Sequence, residues 1–325
     1  MSTPEPPRGL AVPVLKSLLS AEGLAEVVAR EYGLEEVRCE LLKAVTLDTY
    51  RVRSRTGSFA LRVYPAQRSA AAEVRGELEF LARLDAAGVP VPVAVPRADG
   101  GLLLVLEAPE GARLAVLFGF APGQALGDRL TPESLRAYGA LLARLHQAAD
   151  AMPPLPGRPA LTVEALVDRP LDELVRAYGT RSSAAAVGRH AAAAVRPVIA
   201  ALPQDPPVYG LCHGEPGTNN VLTTADGRLT LLDFEFCGPG WRAHDLAVAV
   251  NDLPAAGARD FLEGYRDVRT LTGEELEAIP HFQAAHYLWV LAMRARHLNE
   301  WGAYLFPEPL VVQTFAKIEA LVEGR

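Results

Sequence analysis

The segment His213-Gly214-Glu215-Pro216-Gly217-Thr218-Asn219-Asn220 is followed, ten residues on, by Leu231-Leu232-Asp233-Phe234-Glu235. Together they put a carboxylate on a short loop, an amide at its far end and a second carboxylate at the end of an apolar run. Phosphoryl transfer from a nucleotide needs such a set: one group orients the attacking hydroxyl, and two oxygen ligands hold the magnesium that bridges the phosphates. Glu215 is the candidate for the first task, because a base must reach its hydroxyl at hydrogen-bond distance. A loop rich in Gly and Pro can aim one side chain while its flanks are held. Asn220 and Asp233 are the candidate metal ligands. Asn220 begins one predicted strand and Asp233 ends the next, with a turn at Asp226-Gly227, so antiparallel pairing brings them to one end of a hairpin. Each residue also has a plainer reading, Glu215 as a solvated loop residue and the Asn/Asp pair as backbone caps. Glu235 lies on the same strand face as Asp233 if the strand stays extended, which would make it a further ligand or a substrate contact. His213, followed by Gly at the start of a tight loop, reads as a backbone anchor. The other six histidines have no metal-ligand spacing, and His146 reads as a packed or capping residue.

These groups need elements to hold them. Helices are predicted over Leu15 to Glu31 and Ser69 to Ala86, and strands over Leu41 to Ala44, Thr49 to Arg53, Phe59 to Val63, Gly101 to Glu107 and Leu114 to Phe118. Beyond Ala121-Pro122-Gly123 the pattern becomes helical. Thr131 caps a helix with Pro132 at its first position, and further helices cover Val163 to Tyr178, Ser183 to Leu202 and most of the chain after Asp245. The one β-like pattern in this part is the hairpin of Asn220 to Asp233. The expectation is an α+β chain of two lobes: a small antiparallel-sheet lobe, residues 1–121, and a larger, mainly helical lobe, residues 122–325. Ligands favour the cleft such lobes leave. Met1 to Pro7 reads as a loose tail.

Arg62 alternates with Leu61 and Val63, so it points away from them and can supply a cation to nucleotide phosphates. On the following helix Glu77 falls within the apolar arc of Val74, Leu78, Leu81 and Leu84. A carboxylate there needs a partner, since an unpaired buried charge costs several kcal/mol. Arg62 is the obvious one, with a permanently charged, bidentate guanidinium.

With 325 residues, half of them apolar, the chain has an ordinary globular composition. A net charge of -7 argues against a nucleic-acid or anionic-membrane surface. Lysine occurs only at positions 16, 43 and 317, which restricts any mechanism that requires one. Cys39, Cys212 and Cys237 have no metal or redox spacing, and with no secretory leader they suggest reduced thiols in a cytoplasm.

At these residues the chain resembles the aminoglycoside phosphotransferase and choline kinase-like family, whose fold is protein-kinase-like. His213-Gly214-Glu215, Asn220 and Asp233 match its H-G-D-x-x-x-x-N motif and the aspartate that follows. Thr49 to Val52, Ala60 to Tyr64, Glu77 to Leu81, Ala115 to Gly123 and Trp241 to Ala247 extend the likeness over nearly the whole chain. The resemblance implies ATP and magnesium as cofactors, with Arg62 on the α and β phosphates, paired to Glu77. Thr46 to Thr49 would cover the phosphates. Gly119 and Ala121 would offer backbone groups to adenine, with Phe118 and Phe120 nearby. Asn220 and Asp233 would hold the metal, and His213 and Asp245 would support the catalytic loop. It also implies a small hydroxylated acceptor near late helices, where His286, His297, Asn299 and Trp301 are candidates. Two departures stand out. The loop Ala44-Val45-Thr46-Leu47-Asp48-Thr49 has no glycine, and Glu215 replaces the family's aspartate, so its carboxylate reaches further by one methylene. That substitution raises a second expectation, a silent nucleotide-binding partner protein; a third keeps the enzyme with a peptide Ser/Thr as acceptor, which the net negative charge does not exclude.

Overall fold

The computed structural model describes residues 12–66, 70–301 and 308–324. The predicted tail lies outside them. The described residues form two compact units, one within Met1–Ser69 and Val95–Leu117, the other within Ala70–Ala94 and Phe118–Arg325.

The first unit is a five-stranded sheet under one helix. Strands β1 (Arg38–Ala44), β2 (Asp48–Ser54) and β3 (Gly57–Val63) form a meander, and β4 (Leu104–Leu106) and β5 (Arg113–Gly119) complete the order β1-β2-β3-β5-β4. Period-two alternation turns Tyr50, Val52, Leu61 and Val63 inward, where they pack with Leu24 and Val28 of α1 (Ala21–Tyr32). Helix α1 starts six residues later than predicted. Ser20 is extended and its hydroxyl caps the Gly23 N–H at 3.2 Å, while Lys16 and Ser17 spend their polar groups on the sheet instead.

In the second unit, α2 (Ala71–Ala86) presents Phe80 edge-on to Phe234, ring centroids 5.9 Å apart. Strand β6 (Gln124–Ala125) joins the hairpin of β8 (Val221–Thr223) and β9 (Leu229–Leu231). Strand β7 (Tyr209–Cys212) pairs with β10 (Gly238–Trp241). The sequence reading missed β6, β7 and β10. They are only two to four residues long, and β10 reads Gly-Pro-Gly-Trp, which argues against a strand except at an edge. Helix α3 (Pro132–Asp150) opens on the predicted Thr131 cap, with Ser134 completing a capping box. Then come α4 (Arg169–Tyr178), entered through a π-helical turn at Glu164–Asp168, α5 (Ser183–Ala201), α6 (Arg242–Val250), α7 (Ala255–Arg266), α8 (Gly273–Trp301) and α9 (Glu308–Val322). Gly139 and Gly264 let α3 and α7 touch backbone to backbone, since a Cβ on either would overlap the other helix's main chain. That approach sets Tyr138, His146 and Tyr265 at the base of the loop carrying Glu215.

Candidate active site

Loop 213–220 is held almost atom by atom. Asp245, fully buried at the first turn of α6, accepts the His213 N–H on Oδ2 at 2.7 Å and the Gly214 N–H on Oδ1 at 2.9 Å. The His213 ring donates from Nε2 to the Leu232 carbonyl (2.9 Å) and accepts the Glu215 N–H on Nδ1 (3.3 Å). His244 donates to the Gly214 carbonyl at 3.0 Å, and the buried Tyr138 hydroxyl donates to the Pro216 carbonyl. Asn220 Nδ2 donates to the Glu215 carbonyl at 2.9 Å. Gly214 has φ +91°, and a Cβ there would run into the Phe236 carbonyl. Glu215 therefore projects from a backbone that cannot slide, and it is half-buried.

Asn220 and Asp233 meet at one end of the hairpin, as the turn geometry requires. Val221 pairs with Leu231, and the Leu232 N–H donates to the Asn220 carbonyl at 2.7 Å. Because Asn220 spends its Nδ2 on Glu215, Oδ1 is the atom it can offer a cation. Asp233 has φ +66°, a left-handed conformation that costs a non-glycine residue free energy and concentrates at functional sites. The next residue, Phe234, is fully buried, its ring 4.2 Å from the His213 ring by centroids. The strand does not stay extended to Glu235. A turn follows Asp233, closed by Cys237 N–H to the Phe234 carbonyl at 3.0 Å, so Glu235 does not share a strand face with Asp233.

Arg158 clamps this turn to α2, donating to the carbonyls of Glu235 (2.5 Å), Cys237 (2.7 Å) and Glu73 (3.1 Å). No motif signals it, because an arginine between Gly157 and Pro159 looks like any loop cation. Next to the turn, Phe236 meets Trp289 edge-on at 5.0 Å, and Trp289 stacks on His286 at 5.6 Å, which lies 6.2 Å from His244. His286 is thus joined to the loop through Phe236 and Trp289, two aromatics that carry no motif in the sequence. His297, about three turns further along α8, approaches Glu300 at 3.4 Å. The side chains of Asn299 and Trp301 lie outside the described residues.

In the first unit, Lys43 on β1 and Arg62 on β3 both stand opposite Thr49. Directly paired residues share a sheet face, so two cations flank one hydroxyl there. A bulge between Leu41 and Lys43 puts the lysine in register, which periodicity alone does not show. Thr46 is half-buried in the bend between β1 and β2. In the second unit, Glu77 is 1% exposed. Phe118 is buried beside Gly119, whose N–H is taken by the Val93 carbonyl at 2.9 Å, and Phe120 and Ala121 are half-buried. Gly119 would therefore offer a ligand its carbonyl rather than its N–H.

Residues 39–279 match the model of the phosphotransferase enzyme family. The chain belongs to that family. An uncharacterized protein of Deinococcus radiodurans is 37% identical over 91% of this chain and 88% of its own. A homoserine kinase of Rhizobium meliloti is 29% identical over 84% and 78%. Among solved structures, a microcompartment-associated aminopropanol kinase superposes with a TM-score of 0.76 at 22% identity, covering 93% of this chain and 95% of that one. An amicoumacin kinase in complex with AMP-PNP, Ca2+ and Ami gives 0.78 at 18%, covering 94% of each. The phosphotransferase accordingly has the α+β, protein-kinase-like fold that the resemblance implied. Among its described residues no helix is long and apolar enough to cross a membrane.

The frame of this phosphotransferase is sensitive to acid. Burial pushes His146, His213, His244 and His286 below the ordinary histidine value, His146 to about 4 and His286 to about 3. A neighbouring cation, Arg242, adds to burial at His146, and His244 adds to it at His286. Asp245 stays ionised. Burial alone would raise its carboxyl, but the His146 hydrogen bond at 3.0 Å and the surrounding histidines outweigh this and hold it at about 2. Unfolded histidines titrate near 6.5, so the unfolded chain binds protons that the folded one refuses. Stability is fully present above pH 6.5 and falls as the pH drops toward 4, while Asp245 adds a further loss only below its unfolded value near 3.8. Urea unfolding at pH 5 should take up at least about two protons more than at pH 8. An unfolding free energy that is flat between pH 7 and 5 would contradict the neutral assignment of these histidines.

Proposed function

We propose that this phosphotransferase moves the γ-phosphoryl of ATP to a hydroxyl of a small amino-bearing alcohol, with magnesium. The observation that carries the reading is Asp233, turned into a left-handed conformation at the end of the hairpin that also delivers Asn220, beside a loop whose fixed backbone presents Glu215. The donor set fits a hard divalent cation, with one amide oxygen oriented by its own nitrogen's hydrogen bond and one carboxylate. When bound, such a cation neutralises the charge that develops on the phosphates. Glu215 accepts the acceptor's proton and aims its oxygen. Arg62 and Lys43 bind phosphate oxygens, and the residues Phe118 to Ala121 receive adenine. The names of the relatives support the acceptor class, since homoserine and aminopropanol are both amino alcohols. Phe236, Trp289 and the neutral His286 offer apolar and aromatic surface for its body.

A screen of ATP consumption over amino alcohols, with the phosphorylated product identified by mass, tests the activity. On the substrate found, Glu215→Ala should lower kcat about 10²-fold. Glu215→Asp should also fall, by about 10²-fold, because the pinned backbone cannot advance to recover the lost methylene. Magnesium-dependent ATP binding with no transfer to any acceptor would instead support a silent nucleotide-binding protein, in which Glu215→Asp gains activity only if the rest of the site is intact.

A further inference from the structure

Residues 16 to 19, ahead of α1, lie strapped across the sheet of the first unit. Ser17 gives its N–H and hydroxyl to Glu110 (3.1 and 2.8 Å) and its carbonyl accepts from Arg113 at 3.1 Å. The Leu19 carbonyl accepts from the Tyr50 hydroxyl at 2.8 Å. Lys16 does something different. Its ammonium donates to the Val45 carbonyl at 3.1 Å and pairs with Asp48 Oδ1 at 2.8 Å, so it grips the bend Val45-Thr46-Leu47 at both ends. The other oxygen of Asp48 takes the buried Arg113 guanidinium at 2.7 Å.

This is the bend that would cover the nucleotide phosphates under the reading above, and it contains no glycine. A Gly-rich loop reaches phosphate through conformational freedom. A glycine-free bend has to be held in a receptive shape by something outside it, and its one described internal main-chain bond, Val45 N–H to Leu47 carbonyl, is long at 3.3 Å. We propose that Lys16 is a positioning residue for nucleotide binding, fixing the β1–β2 bend so that its backbone meets the phosphates at little ordering cost. The proposal rests on the nucleotide reading of this unit. It separates from a purely structural role because Asp48 keeps Arg113 when Lys16 is removed, so the buried ion pair and the sheet survive while the bend loosens.

The test is calorimetric titration of the full chain with magnesium and AMP-PNP, without acceptor, alongside urea unfolding. Lys16→Met should weaken binding about tenfold, the worth of one lost charge-assisted hydrogen bond. Lys16→Arg should restore most of it, since a guanidinium can also donate to both oxygens. Tyr50→Phe removes the strap's tie at Leu19 without touching the bend, and should leave binding within about twofold even if stability falls as much as in Lys16→Met. Lys16→Met binding as tightly as wild type, or Tyr50→Phe weakening it equally, would overturn the positioning role alone. Wild type that binds no nucleotide would overturn the nucleotide reading and this inference with it.

Discussion

Asp233→Asn should lower kcat/KM by about 10³-fold at fixed magnesium, with folding stability changed by no more than about 0.5 kcal/mol. Backbone and charge separate at this position. Asn tolerates the left-handed conformation nearly as well as Asp, so the turn that buries Phe234 against Phe80 and His213 keeps its shape. Only the anionic oxygen is lost, and with it the strongest ligand of the proposed metal site. Asp233→Gly makes the division sharper. Glycine adopts φ +66° without steric penalty, so this variant should be at least as resistant to urea as Asp233→Asn and equally inactive. Steady-state kinetics and urea titration on both proteins check this. Full turnover in either would remove Asp233 from the site.

Asp245→Ala should act in the opposite order, on the fold first and on activity through it. One carboxylate accepts from two successive backbone amides and from His146, in a fully buried position. Its removal leaves three buried donors without an acceptor, a loss of about 3–5 kcal/mol. Asp245→Asn does not rescue this, since its amide nitrogen would face a donor. The loop that presents Glu215 loses its floor, so kcat should fall even in the protein that remains folded. Chemical denaturation and kinetics at low temperature measure the two losses separately. A stability within about 1 kcal/mol of wild type would show that the carboxylate is not the keystone of this loop.

Much of this frame was legible before any coordinates. Ala225 to Arg228 is a strong turn signal and the flanking residues alternate, so the hairpin and the convergence of Asn220 with Asp233 followed. Glu77 fell on an apolar arc and is buried. Other features were not legible, for identifiable reasons. The left-handed Asp233 breaks the alternation on which the strand reading rests, and the turn after it takes Glu235 off the strand face. Strand β10 hides in a Gly-Pro-Gly run, and α1 begins late because the residues before Ser20 are committed to the sheet. Lys16 meets Val45 and Asp48 across about 30 residues of chain, and no local pattern encodes such a meeting. The Lys43–Thr49–Arg62 row needs the β1 bulge, which shifts the register at Lys43 after Leu41.

Asn220 and Asp233 are proposed to hold jointly the divalent cation of a bound nucleotide, within reach of Glu215. A crystal structure with AMP-PNP and magnesium is the decisive measurement. The expected result is a metal coordinated by Asn220 Oδ1 and an Asp233 carboxylate oxygen, with the terminal phosphate facing Glu215. A metal held by other residues, or a terminal phosphate directed away from Glu215, would contradict it.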